Sequence, residues 1–317
     1  MVRAATSAGR LPVAVTPLQR SLFPDAYEVQ ADALDALNEL DIDAGLACVR
    51  EARRRDPTLP NLDALDAALI WLRSVIGSEP ARAESAAAAF LALPASDLSV
   101  QASGFVDLAV ARFGLRCADG DFLDAERRVP EAALRLVLGQ FEAARRGLAR
   151  LLDRTADRDG HDRRADLWGW RADACFACDR PEEAGAAWVR ALLLDPDRID
   201  LFRTRAPRWR TLFAELRVDR AEAEARALLF PHAWLRGLVE VPVDNDWLDA
   251  HLPRLRAATR VATDAPRADR LLRFALLLYE DRSRPGPPDI AQREEMQALE
   301  PELFQQVVAV LRERERG

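Results

Sequence analysis

Lysine is missing from this 317-residue chain: all 45 of its basic residues are arginine. That excludes lysine Schiff bases, a phosphate-loop lysine and a lysine general base. Histidine is almost as scarce, since His161, His232 and His251 stand far apart with no paired spacing. The sequence also has no Gly-x-Ser-x-Gly, His-Glu-x-x-His or Gly-x-Gly-x-x-Gly, so the usual nucleophile, zinc and dinucleotide signatures are lacking; no cofactor, no metal and no catalysis are expected. The four cysteines, Cys48, Cys117, Cys175 and Cys178, lie inside apolar helical patterns, which fits buried thiols in a reducing cytosol better than a disulfide framework. No uncharged apolar run is long enough to span a membrane, and the opening MVRAATSAGRLPVAV holds no signal-like apolar core. The expectation is a cytoplasmic protein without a membrane partner.

What is abundant is alanine, leucine and charge of both signs. Little Thr or Tyr accompanies them, so helices are favoured over strands. The Arg and Ala excess is attributed to a GC-rich genome, hence a bacterium. A formal charge of −7 argues against non-specific binding of nucleic acid by the whole surface, because such binding rests on cationic neutralisation of phosphates. The length fits two domains or one elongated array.

The most informative stretch runs from Ala165 to Arg198. Trp168, Ala172 and Cys175 share one face of a first helix, and Ala184, Trp188 and Ala191 share one face of a second. Small residues sit where two antiparallel helices must cross closely, and tryptophans fill the space beside the crossing. Pro196 closes the unit, and Asp179 holds the turn, where Asp tolerates the required backbone. This order over about 34 residues resembles the tetratricopeptide repeat. A second stretch repeats the spacing, with Val29, Ala33 and Ala36, then Gly45, Val49 and Ala52, closed by Pro57, 139 residues before Pro196. The resemblance implies an all-α fold: a solenoid of helical hairpins with a C-terminal helical cap.

The chain is accordingly divided into a flexible arm over 1–24, a repeat array over 25–198 and a helical domain over 199–317 packed on the array. Between the two clear repeats, helices are expected around Leu62–Ile76 and in AESAAAAFLALP, after a cap at Ser103, and from Phe141 to Leu151, while Gly120, Phe122 and Ala125 mimic a repeat turn and the start of its partner helix that Pro130 interrupts. Beyond Pro196, a stripe of Phe202, Ala206, Trp209, Phe213 and Leu216 is followed by separate helices at 221–229 and 231–238. A short extended segment comes next, then a helix capped by Asp246.

In the repeat family the first helix of each hairpin lines a concave groove. By that resemblance Asp166, Gly169, Trp170, Asp173 and Phe176 line it in one repeat, and Tyr27, Gln30, Leu34 and Leu37 in the other, unless they pack against the C-terminal helices instead. With acidic residues there, the implied partner is a basic or amphipathic peptide or helix, and the implied function is a non-catalytic adaptor, scaffold or chaperone-like subunit of a bacterial complex. The alternative is an accessory subunit holding nucleic acid or a phosphorylated ligand through Arg203, Arg205, Arg208 and Arg210, which surround Trp209. At 100° per residue those arginines do not form one stripe. Cys175-Phe176-Ala177-Cys178 sits late in its helix without further ligands, so it reads as packing and not as a redox or zinc pair.

Overall fold

A computed structural model describes residues 24–314 and 316, apart from 78, 125, 127, 156–164, 242–244, 262–263, 285–286 and 288. The expected arm over 1–24 thus lies outside the described residues except for Pro24, as does His161; of the expected extended segment before Trp247, 242–244 lie outside them, and 239–241 form no strand. The described chain is all-helical: fifteen α-helices, two 3-10 turns and no strand, with isolated bridges at Asp119–Phe122 and Phe122–Pro130. It divides into two compact units, 1–147 and 148–317.

The first unit holds α1 (Pro24–Asn38), α2 (Ile42–Arg55), α3 (Leu62–Ile76), α4 (Ala83–Ala92), α5 (Val100–Cys117) and α6 (Glu131–Val137), and the start of α7 (Phe141–Thr155). α2 shows how local sequence sets an element. Asp41 accepts from the Ala44 amide at 3.1 Å as its N-cap, Asp43 follows in the first turn, and Arg53, Arg54 and Arg55 meet the negative end of the dipole. Gly45 lets α3 approach closely, since a Cβ there would stand 2.7 Å from Leu69 Cδ2. α5 is the hub and packs against α1, α3, α4 and α6. Its cap is Ser99, accepting from the Ala102 amide at 3.2 Å, so the helix starts earlier than a cap at Ser103 implies. No helix starts at Phe122. There the Asp124 carboxylate accepts from the Arg128 and Val129 amides at 2.8 and 3.0 Å and closes a loop that ends at Pro130.

The second unit continues α7 and adds α8 (Ala165–Ala177), α9 (Pro181–Leu194), α10 (Pro207–Leu216), α11 (Glu222–Leu235), α12 (Asn245–Ala258), α13 (Arg267–Ser283), α14 (Ile290–Leu299) and α15 (Pro301–Arg314). It joins the Ala165–Arg198 hairpin to the C-terminal helices, where the sequence reading separates them after residue 198. α11 is the hub here, against α9, α10, α13 and α15. It is continuous through buried Pro231, so the two helices expected around that proline are one; packing on four neighbours holds it despite the lost amide donor. α12 begins at Asn245, which puts Asp246 in its first turn and not at the cap. Buried carboxylates tie the helices together: Arg256 grips Glu280 through two bonds of 3.1 and 2.5 Å, and Arg270 reaches Glu300 at 3.1 Å.

Four helix ends share one turn. After α8, the Arg180 amide bonds to Cys175 O at 3.0 Å and the Asp179 amide to Phe176 O at 3.1 Å, with Asp179 left-handed at φ 58°. Gly139 and Gly237 occupy the same position after α6 and α11, and Leu40 after α1. An aspartate carries a left-handed penalty that glycine avoids. Asp179→Gly is therefore expected to stabilise the protein by roughly 0.5 to 1 kcal/mol in urea unfolding, and an unchanged or lower midpoint would contradict the turn assignment.

Candidate functional site

The face of α8 assigned to an open groove is covered by the chain's own continuation. Ile199 lies over Gly169, where a Cβ would stand 3.5 Å from Ile199 Cγ2. One turn along α8, Asp173 Oδ1 accepts from Thr204 Oγ1 at 2.6 Å and from the Arg205 amide at 3.1 Å. The segment from Ile199 to Arg205 therefore runs beside α8 in the direction Gly169 to Asp173. It enters with Ile199, Leu201, Thr204 and Ala206 buried, and the Asp200 carboxylate shapes its turn by accepting from the Phe202 and Arg203 amides at 3.1 Å. Its start is fixed from the far side, where buried Arg226 donates to Pro196 O at 2.9 Å and to Ile199 O at 3.1 Å.

Behind this layer lies a chain of rings and guanidinium groups. Trp188 stacks on Trp209 with centroids 5.1 Å apart and planes 28° from parallel. The Arg190 guanidinium sits 4.8 Å from the Trp168 ring and 5.4 Å from the Trp247 ring. Trp247 also stacks on His251 at 4.5 Å and meets Tyr279 edge-on at 6.2 Å. These contacts join α8, α9, α10, α12 and α13 into one interior, and they bury Trp209 against Trp188, so it offers no free platform to a base.

The first hairpin has the matching arrangement. Gln30 Nε2 donates to Pro60 O at 2.6 Å, and Tyr27 belongs to a core cluster with Ala26, Ala52, Leu59 and Leu62. The 139-residue offset between the closing prolines carries Gln30 onto Gly169 and Pro60 onto Ile199. In each hairpin the segment after the closing proline turns back over the first helix.

The expected site residues are placed accordingly. Tyr27, Gln30 and Leu37 are buried and Leu34 is half-buried, so the first set lies in or against the interior and does not line an open groove. Asp173 is buried, which corrects its assignment to a solvent-facing groove: the carboxylate is taken up by Thr204 and Arg205. Asp166 is half-buried and accepts from the Leu167 amide at 3.0 Å, and Trp170 is half-buried. Phe176 alone of the α8 set is exposed, at 42%. Among the arginines, Arg203 turns inward to Asp200 at 3.5 Å, whereas Arg205, Arg208 and Arg210 are exposed, the last two on opposite flanks of Trp209. They do not converge. Phe202, expected on the apolar stripe of a helix, precedes α10 and is 52% exposed. Phe176 and Phe202 are the exposed aromatic residues among those described. Thr204 and Arg190 were missed, because neither shows a helical period that marks its partner.

Cys175 is fully buried, with its thiol 3.9 Å from Glu183 Oε2, and Cys178 is half-buried. Among the described residues no group of three or more His, Cys, Asp or Glu side chains is placed to hold a metal ion, and no helix is long and apolar enough to cross a membrane. Burial and two Arg neighbours, Arg220 and Arg236, push His232 down to about 4, which leaves it neutral at pH 7. The family models, the curated proteins and the solved structures gave no match to this chain.

Burial raises the Asp173 carboxyl to about 7, against the opposing pull of the Thr204 and Arg205 hydrogen bonds and of the Arg205 charge, and Asp200 adds to the rise. The folded state then holds a proton that the unfolded state releases. This contribution to stability is complete below the ordinary carboxylate value and is lost as pH rises towards about 7. Asp173→Asn keeps an Oδ1 acceptor for both bonds and does not titrate. The stability of the wild type relative to this variant is expected to fall between pH 4 and pH 8, and parallel unfolding curves would show that Asp173 is not buried as described.

Proposed function

We propose that this chain is a non-catalytic helical-repeat adaptor, an accessory or chaperone-like subunit of a bacterial cytoplasmic complex. In this reading it holds a protein partner at the edge where Phe176 and Phe202 meet solvent. The repeat reading draws support from the two hairpins, whose closing prolines and fold-back contacts share one offset. The observation that carries the binding reading is the exposure of both phenylalanines in a unit that buries most of its other large rings, among them Trp168, Trp188, Trp209, Trp234, Trp247 and Tyr279. Phe176 lies one turn beyond Asp173 on α8, and Phe202 lies two residues before Thr204, so the two rings flank the Asp173–Thr204 bond. Exposed aromatic side chains are anchors of the kind that dominate protein interfaces.

The test places a photoreactive phenylalanine analogue at 176 or at 202 in the source cell, with Val218 and Ile290 as controls because they are also exposed, at 84% and 72%. A discrete cross-linked species from 176 and 202 but not from 218 or 290 is expected. No product, or the same product from all four positions, would contradict the proposal.

A further inference from the structure

The segment that covers α8 is built to move as one piece. Its turns are closed from within: Asp200 accepts from the Phe202 and Arg203 amides at 3.1 Å, and Thr204 Oγ1 accepts from the Ala206 amide at 3.3 Å. Each end is pinned to the interior, one by Arg226 on the Pro196 and Ile199 carbonyls, the other by Trp209 stacked on Trp188. Between these anchors Asp173 Oδ1 receives both the Thr204 hydroxyl and the Arg205 amide. Lifting the stretch from Leu201 to Arg205 breaks those two bonds and leaves the internal turns intact.

We infer that Leu201–Arg205 is a pH-gated latch, seated on α8 while the Asp173 carboxyl is protonated and released as it ionises, with the rest of the second unit still folded. The driving force is the cost of a carboxylate charge that water cannot reach. Asp173 is buried beneath the segment, and lifting the segment returns it to water. Within the segment Arg205 opposes the charge and Asp200 adds to its cost. The charged groups of the neighbouring elements are engaged elsewhere. On α8, Asp166 accepts from the Leu167 amide and Arg171 lies over the Trp168 ring. On α9, Glu183 holds Arg180, Arg190 lies over Trp168 and Trp247, and Glu182 is exposed. In the turn before the segment, Asp195 lies 3.4 Å from Arg198 and Asp197 lies 3.9 Å from Arg226.

Covered, the Asp173 carboxyl titrates at about 7; uncovered, it returns towards its ordinary 3.8. Between those values each rise of one pH unit favours the open form by about tenfold, and above about 7 the effect levels off. Burial of Leu201 and Thr204 keeps the open form a minor state, which hydrogen exchange detects. Release uncovers α8 at Gly169 and Asp173 and carries Phe202, but not Phe176, away from the helix.

The experiment is hydrogen–deuterium exchange of the full chain from pH 5 to pH 8, with rates corrected for the intrinsic pH dependence of amide exchange. The opening equilibrium of peptides spanning 201–206 is expected to rise about tenfold per pH unit up to about pH 7 and then to level off, while peptides from α9 and α13 stay protected. Asp173→Asn keeps an Oδ1 acceptor and is expected to remove the slope. Thr204→Val loses a donor but leaves the carboxyl in place, so it is expected to open the segment further at every pH and to keep the slope. A wild-type segment without a slope, a slope that survives in Asp173→Asn, or a segment that opens only together with α9 and α13 overturns the latch. If Asp173→Asn does not fold, Thr204→Val decides, since exchange over 201–206 equal to that of the wild type overturns the latch as well.

Discussion

A single carboxylate oxygen joins the fold of the second unit to its surface. Asp173 Oδ1 takes the Thr204 hydroxyl and the Arg205 amide, and in doing so seats the seven residues from Ile199 to Arg205 along α8. A buried carboxylate is costly unless it is bonded or neutral, and this one is both bonded and raised towards neutral pH. Remove the bond and the Thr204 hydroxyl, which also accepts from the Ala206 amide at 3.3 Å, loses its acceptor in the interior, while the segment that delivers Trp209 to Trp188 loses its hold on α8. The chain direction set here decides where Phe202 emerges and where α10 starts.

The fold-back also changes what the hairpin can do. A helical hairpin covers only part of its apolar surface by itself and needs a neighbour. In the first unit that neighbour is the stretch Leu59 to Leu62 leading into α3; in the second it is an irregular segment clamped between Asp173 on one side and Arg226 on the other. The face that would otherwise receive a ligand is filled by the chain itself. Phe176 and Phe202 remain in contact with water at its margin.

The hairpins were legible because their signal is local. Alternating small and aromatic residues at helical spacing dictate close crossing, and Ala33, Val49, Ala172, Ala184 and Trp188 are all buried as that spacing requires. Asp173 was misread for a physical reason: a carboxylate on a helix reads as solvated, and its partner lies 31 residues away in a stretch without period. The loop closed by Asp124 escaped in the same way, since its Gly120 and Phe122 imitate the start of a helix while the deciding bonds come from one side chain to two amides. Pro231 misled in the opposite sense, a local helix breaker overruled by the packing of α11 on four other helices. Phe202 fell at the right interval for the stripe of α10, yet the helix begins only at Pro207.

The most direct test of this account is a double-mutant cycle on Asp173→Ala and Thr204→Val, with unfolding free energies measured for both single variants and the double at pH 7. If the bond holds the segment to α8, each single change destabilises and the pair is strongly non-additive, with a coupling of about 1 to 3 kcal/mol. Additive effects would mean that the two side chains act independently, and the placement of the Ile199–Arg205 segment on α8 would be wrong.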